Sequence, residues 1–229
     1  LLVLNNGKHS ILCDNNFNKP QAFHEDPTYR IGGICIIFFL TLSLSYLFFF
    51  KNFFYLDYVT FCSLFFILGL LDDLKIDIAP KFRLGAMICM LVFLIISNDI
   101  YIERTGLDFI NRLLTIDIFA LIFMGLCFLF IINGSNLIDG FNGLLGIHSL
   151  IIIVILFAIN IINNDIEHSY FLFYAILSIL VFLRFNFPKS KIFLGDSGAY
   201  LLGTIITLAI VKTSISNPHI TSFFFCILL

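Results

Sequence analysis

The sequence predicts an all-α protein, a polytopic bundle of transmembrane helices with about seven complete spans plus partial spans at both termini. Composition is the first indication. Apolar residues make up 60% of the 229 residues and charged residues 12%, with a mean hydropathy of +1.03. A soluble domain is roughly 45–50% apolar and about 25% charged, so this chain is built for lipid. The second indication is a series of apolar stretches near the length needed to cross a bilayer, about 20 residues. The third is the polar clusters between them. Neighbouring clusters are separated by two stretches, which brings all of them to one membrane face.

Taken in order, the spans are expected at 31–50, 53–71, 82–98, 115–132, 143–162, 169–185 and 198–213, and a further run begins near 219. Segment 82–98 has a short uncharged core because Arg83 sits at its edge. The run Leu1–Leu4 reads as the tail of a preceding span rather than a signal peptide. The chain starts without Met and stops at Leu229 inside an apolar run, so truncation is expected at both ends. In loop 99–114, Leu107, Ile110 and Leu114 have the spacing of a short amphipathic segment on the outer interface; an ordinary polar loop is the alternative. Six cysteines lie scattered, mostly in apolar runs and without metal-ligand spacing, and read as small buried hydrophobes.

Charge orients the bundle. The face bearing the polar clusters receives Lys8, Lys19, Arg30, Lys75, Lys81, Arg83, Arg184, Lys189 and Lys191; the other receives Lys51, Arg104, Arg112 and Lys212. By the positive-inside rule the cluster face is cytoplasmic. The formal net charge of −2 points neither to nucleic acid nor to a broad basic surface.

Four clusters carry the chemistry. Asp72-Asp73 end a span, where two carboxylates oppose the partial negative charge of a helix C-terminus. Adjacent carboxylates suit a divalent cation, a shared proton or a general base. Asp77 is either an accessory or a loop charge. In Asn133–Asn142, Asn133, Asn136 and Asp139 recur every three residues and share a face if helical. Asn both donates and accepts, which suits sugar hydroxyls, amides or a nucleobase, although Asn, Gly and Ser also favour turns. Gly195-Asp196-Ser197-Gly198 opens a span, so Asp196 is either an ordinary N-cap or a hard-cation ligand beside a diphosphate approached over the two glycines. In the first loop, Arg30 is either a phosphate grip or a flanking charge, and Lys81 and Arg83 carry the same two readings.

The stretches PTYRIGG (27–33), LGLLDDL (68–74), NGSNLIDGFNGL (133–144) and FLGDSGAYLLG (193–203), in that order, resemble the polyprenyl-phosphate N-acetylhexosamine-1-phosphate transferases, glycosyltransferase family 4. The resemblance covers nearly the whole chain. It implies one integral-membrane transferase domain over 1–229, lacking further C-terminal spans and a His- and Arg-rich cytoplasmic loop, and therefore inactive if this is the whole polypeptide. The implied reaction passes a sugar 1-phosphate from a UDP-activated N-acetylhexosamine to polyprenyl (undecaprenyl) phosphate and releases UMP. It is the first membrane step of cell-envelope polysaccharide synthesis, on the cytoplasmic side of the inner (plasma) membrane.

By the same resemblance Asp196 binds Mg²⁺, with Mn²⁺ as an alternative. Asp72 and Asp73 handle the lipid phosphate or assist the metal, and Asp139 joins them as a catalytic residue. Because a lipid phosphate is already largely ionised near neutral pH, with a second pKa of about 6, positioning by Asp72 matters more than proton abstraction. Asn133, Asn136, Asn142, Lys81, Arg30 and His24 line the substrate sites. Asn142 stands where the peptidoglycan branch has a second Asp, which favours the O-antigen (lipopolysaccharide) type. The basic residue expected just before His24 is absent, since Gln21-Ala22-Phe23 stand there. An intramembrane prenyltransferase would need a second Asp-rich motif, whereas the second cluster offers one Asp among Asn. A transporter would carry ionisable residues at mid-span, whereas these acids lie at span ends.

Overall fold

The computed structural model describes residues 12–14, 28–76, 78–102 and 104–220. His24, Asp77, Leu1–Leu4 and most of the run beginning near 219 lie outside the described residues. Among the described residues seven long helices form: α1 Gly32–Lys51, α2 Leu56–Asp73, α3 Pro80–Asn98, α5 Asp117–Ile138, α6 Leu144–Ile162, α7 Ile166–Asn186 and α8 Gly195–Ser216. A short α4, Asp108–Leu114, precedes α5. Six of the long helices are long and apolar enough to cross a membrane; the seventh, α2, carries Asp57, Asp72 and Asp73 at its ends. The protein is a multi-pass membrane bundle.

Each expected span is present, with shifted ends. The largest shift is in α5, which runs on to Ile138 and takes Asn133 and Asn136 into its last turns instead of leaving them in a loop. Asn133 accommodates the helix by donating from Nδ2 to the Leu129 carbonyl one turn back, at 2.8 Å. Proline at the first position starts α3, and left-handed residues, Asn52 and Asp99, end α1 and α3. The amphipathic segment of loop 99–114 is α4, with Leu114 buried and Leu107 exposed. Of the cysteines described, Cys62 is buried, but Cys35 and Cys89 are exposed, on the outer flanks of α1 and α3. A membrane bundle faces lipid there, so apolar side chains such as Phe38, Phe93 and Phe130 stay on the outside.

Helix α8 is the axis of the bundle. Of its apolar window 89% is buried, against 22–44% in the other five apolar spans, and its hydropathy, 1.6, is the lowest of the six. These two facts belong together. A helix shielded from lipid by α1, α2, α5 and α6 can carry Thr204 and Thr207, whose hydroxyls donate to the carbonyls of Tyr200 and Gly203 one turn back. Its N-terminal end is packed backbone to backbone. A Cβ on Gly69 of α2 would lie 2.5 Å from the Asp196 carbonyl oxygen, and one on Gly33 of α1 would collide with Gly198.

Among the described residues three short strands, which the all-α expectation did not include, lie at this end. They are β1 Cys13–Asp14, β2 Thr28–Arg30 and β3 Ile192–Phe193. Strand β2 pairs antiparallel with β1 and parallel with β3, setting Arg30 opposite Phe193. At the opposite end of the bundle, Lys212 of α8 forms an ion pair with Asp57 of α2 and stands 5.4 Å above the Tyr58 ring. The two side chains are 33% and 13% exposed. Replacing Lys212 by Met should therefore destabilise the bundle by an amount between the about 1 kcal/mol of an exposed pair and the about 3–5 kcal/mol of breaking a buried one. The swapped variant, Asp57→Lys with Lys212→Asp, should recover part of that loss in thermal unfolding in detergent.

Candidate active site

The site is built where the C-terminus of α2 meets the N-terminus of α8. Helix termini leave backbone amides without intrahelical partners, and the ordinary solution is a side chain at the N-cap. In α8 that position is Leu194, which supplies no side-chain acceptor. The cap comes from α2 instead. The Asp196 amide donates to Oδ1 of Asp73 and the Ser197 amide to Oδ2, each at 2.9 Å. Asp73's side chain has no exposed surface, and the Arg30 guanidinium stands 3.6 Å from its Oδ1. The expectation that both carboxylates merely oppose their own helix dipole is thus corrected for Asp73. It faces the negative end of α2 but also the positive end of α8. The reading of Asp196 as its own helix's N-cap is excluded by the same contacts.

Asp72, about 100° further round α2, points elsewhere. Its Oδ2 accepts from Nη1 of Arg83, in the first turn of α3, at 2.7 Å. Asp196 is half-buried and interacts electrostatically with Asp73, Arg30, Asp72 and Arg83. Asp139, just past α5, interacts with Asp196, Arg30 and Asp73. Tyr200 of α8 interacts with Arg83, Asp72 and Asp196, and its buried hydroxyl lies beside Asn136 without forming a full hydrogen bond.

The structure thus brings together Asp72, Asp73, Asp139, Asp196 and Arg30, with Asn136 reached through Tyr200. It does not bring the remaining candidates into that group. Asn133 is bonded down its own helix and lies near Met87, its Nδ2 3.9 Å from the sulfur. Asn142 is exposed, its Nδ2 3.5 Å from the Pro188 carbonyl oxygen. Lys81 is exposed in the first turn of α3, and His24 falls outside the described residues. Among the described residues no three of His, Cys, Asp and Glu converge at metal-ligand distance.

Two positioning features escaped the sequence reading. Arg83 is one of three cations, with Arg30 and Lys81, whose role the sequence leaves open, and its partner cannot be read from spacing. Asn186, the last residue of α7, is buried: its Oδ1 accepts from the Gly143 amide at 2.5 Å and its Nδ2 donates to the Ile192 carbonyl at 2.9 Å. It clips the turn after α5 to β3, and so to the start of α8. Gly143 has a left-handed φ of 76°, which glycine adopts at little cost. The only available sequence signal was a polar residue closing an apolar span.

The sequence profile of glycosyl transferase family 4 matches residues 55–214, which contain three of the four motifs and most of the bundle. The chain belongs to that family. It is 33% identical over 200 residues to a phospho-N-acetylmuramoyl-pentapeptide-transferase of Dictyoglomus turgidum, an alignment covering 83% of this chain and 61% of the relative. It is 31% identical over 204 residues to an undecaprenyl-phosphate alpha-N-acetylglucosaminyl 1-phosphate transferase of Thermotoga maritima, covering 85% and 58%. A protein of the latter name from Escherichia coli O157:H7 is 24% identical over 156 residues, covering 66% and 42%. The chain therefore spans about three fifths of the first two relatives. Both branches of family 4 appear among the matches, so the preference for one branch drawn from Asn142 is not decided by them.

One electrostatic consequence can be measured. Burial pushes the Asp139 carboxyl up to about 8, with Asp196 and Asp73 adding to the shift and Arg30 opposing it. In the unfolded chain the group ionises near 3.8. Between these values the folded state holds a proton that the unfolded state has lost, so stability falls as pH rises through the interval. Above about 8 both states are ionised and the dependence ends. Asp139→Asn should thus gain stability over the wild type progressively from about pH 4 to about pH 8 and hold that gain at higher pH. Thermal unfolding in detergent without divalent cations reads this, and a difference independent of pH would contradict it.

Proposed function

We propose that the protein transfers an N-acetylhexosamine 1-phosphate from a UDP-sugar to polyprenyl phosphate, releasing UMP, as the first membrane step of a cell-envelope polysaccharide. The observation that carries this reading is the convergence of four carboxylates and two guanidiniums at one end of the α2–α8 pair. The names of the family 4 relatives support the reaction class. The excess of Lys and Arg at this end of the bundle supports a site on the cytoplasmic side of the plasma membrane, where UDP-sugars are made. Asn142, where the peptidoglycan branch has Asp, supports an unmodified N-acetylhexosamine over a peptide-bearing sugar, and a product of the O-antigen type.

In this reaction a lipid-phosphate oxygen attacks the β-phosphorus of the diphosphate, and the bond from that phosphorus to UMP breaks. Nucleophile and target are both anionic, so the task of the site is to offset charge and align the groups. Arg83 and Arg30 supply fixed positive charge beside the acids. The lipid phosphate is already largely ionised near neutral pH, given a second pKa of about 6, so Asp72 serves orientation more than proton abstraction.

The donor set also fits Mg²⁺. That ion takes hard oxygen ligands, usually one or two carboxylates with substrate phosphates completing the shell, so a triad of protein ligands is not required. Asp73 is committed to the α8 amides and Asp72 to Arg83, which leaves Asp196, with Asp139 nearby, as the residues to hold it. Bound there, the ion would neutralise the diphosphate and stabilise UMP as leaving group.

Membranes carrying the full-length protein, supplied with Mg²⁺, undecaprenyl phosphate and a panel of UDP-sugars, should release UMP with at least one sugar. Asp196→Asn should lower that rate by more than about 100-fold, since even residues behind a metal ligand commonly cost 10- to 100-fold. Absence of release with every sugar would remove the transferase reading. An Asp196→Asn variant that keeps its rate would remove the cation assignment alone.

A further inference from the structure

Two adjacent aspartates at a membrane active site invite a shared role. The structure separates them. Asp72 lies toward Arg83 and the electrostatic field of Asp196, whereas Asp73 is turned inward and fully enclosed. Both of Asp73's oxygens are engaged, one by the Asp196 amide and the other by the Ser197 amide. This two-oxygen grip on consecutive N-terminal amides is how a helix end holds a phosphate or sulfate. We propose that Asp73 is a built-in anion for the N-terminus of α8. In this role it is a positioning residue that fixes Asp196 and never touches substrate, and it closes that helix end to substrate phosphate. This inference rests on the transferase reading for its kinetic consequences but not for the contact itself.

The surrounding glycines point the same way. The sequence suggested that Gly195 and Gly198 let a diphosphate approach the backbone, but the structure fills that space with protein. A Cβ on Gly195 would stand 2.6 Å from Asp73 Oδ2, and φ there is +77°, so glycine is required by the cap itself. A Cβ on Gly198 would stand 2.5 Å from the Leu194 Cδ1 methyl. Gly69 and Gly33 press on the same turn from α2 and α1. Among the described residues this packing occupies the space around the Asp196 and Ser197 amides.

Charge balance explains why an acid stands there rather than serine or asparagine. A buried carboxylate is tolerated when it is hydrogen-bonded and paired. Here two amides, the positive end of α8 and Arg30 compensate it. Phosphate recognition then falls to side chains, with Arg83 and Arg30 the cations in place, and not to a backbone cradle. The DD dipeptide thus has one member for the site and one for the scaffold.

The test compares Asp73→Ala, Asp73→Ser and Asp73→Asn with the wild type. Amide hydrogen exchange across 194–200, in detergent without added divalent cation, reads the cap independently of activity. The wild type should be protected there, Asp73→Ala should lose that protection, and Ser or Asn, which can still accept an amide hydrogen bond, should keep a measurable part. In UMP-release assays Asp73→Ala should lose about 100-fold in kcat, the scale expected when a reacting group is displaced by about 1 Å. The Mg²⁺ concentration for half-maximal rate should rise while the KM for undecaprenyl phosphate stays unchanged. Ser or Asn should restore at least tenfold of that loss.

The proposal is overturned if protection across 194–200 is the same in the wild type and in the variants. It is equally overturned if Asp73→Asn is as inactive as Asp73→Ala with a raised KM for undecaprenyl phosphate, the signature of direct phosphate handling. Should Asp73→Ala fail to fold, the Ser and Asn variants carry both readouts. A wild type that releases no UMP would remove the transferase reading and leave the exchange result to decide the cap.

Discussion

The antiparallel pairing of α2 with α8 is the constraint on which the rest of the structure depends, and a carboxylate secures it at each end. At one end Asp73 accepts the first amides of α8; at the other Asp57 pairs with Lys212. Between them Gly69 lets the two backbones touch. In lipid there is little hydrophobic drive to bring helices together, because the tails are as apolar as the side chains, so register must come from close packing and polar contacts. The α2–α8 pair has both. Helices α1, α5 and α6 then complete the cover around α8.

The site inherits its geometry from this pair. Fixing the first turn of α8 fixes Asp196, and the same end of α2 delivers Asp72 one residue before the cap. Four carboxylates then face two guanidiniums, all of them half-buried except the enclosed Asp73. Burial first, and the neighbouring charges of Asp196 and Asp73 after it, favour the protonated form of Asp139, with Arg30 opposing them. With four carboxylates set against two guanidiniums, this end of the bundle attracts positive charge.

The span count and the gathering of the acids at one end were legible because both follow from one-dimensional patterns, apolar length and the parity of the connections. What was not legible required knowing a partner. Nothing local says that the cap of α8 is 123 residues away on α2, so Gly195-Asp196-Ser197-Gly198 read as a self-capped or ligand-binding start. The end of α5 was placed too early because Asn and Gly suggest turns, whereas Asn133 can bond back to Leu129 and stay helical. Cys35 and Cys89 were assigned to the interior because apolarity marks burial in water-soluble proteins; in a membrane bundle it equally marks the outer surface.

Asn186 shows how the motifs become one site. Helix α7 contributes none of the acids, yet its last residue holds the Gly143 amide with one atom and the Ile192 carbonyl with another. The first contact fixes the turn that follows Asp139; the second fixes the strand that leads into Gly195. Strand pairing of Arg30 opposite Phe193 adds the N-terminal segment to the same unit. Asp139, Asp196 and Arg30 are therefore positioned from outside their own elements, by contacts that converge on the start of α8.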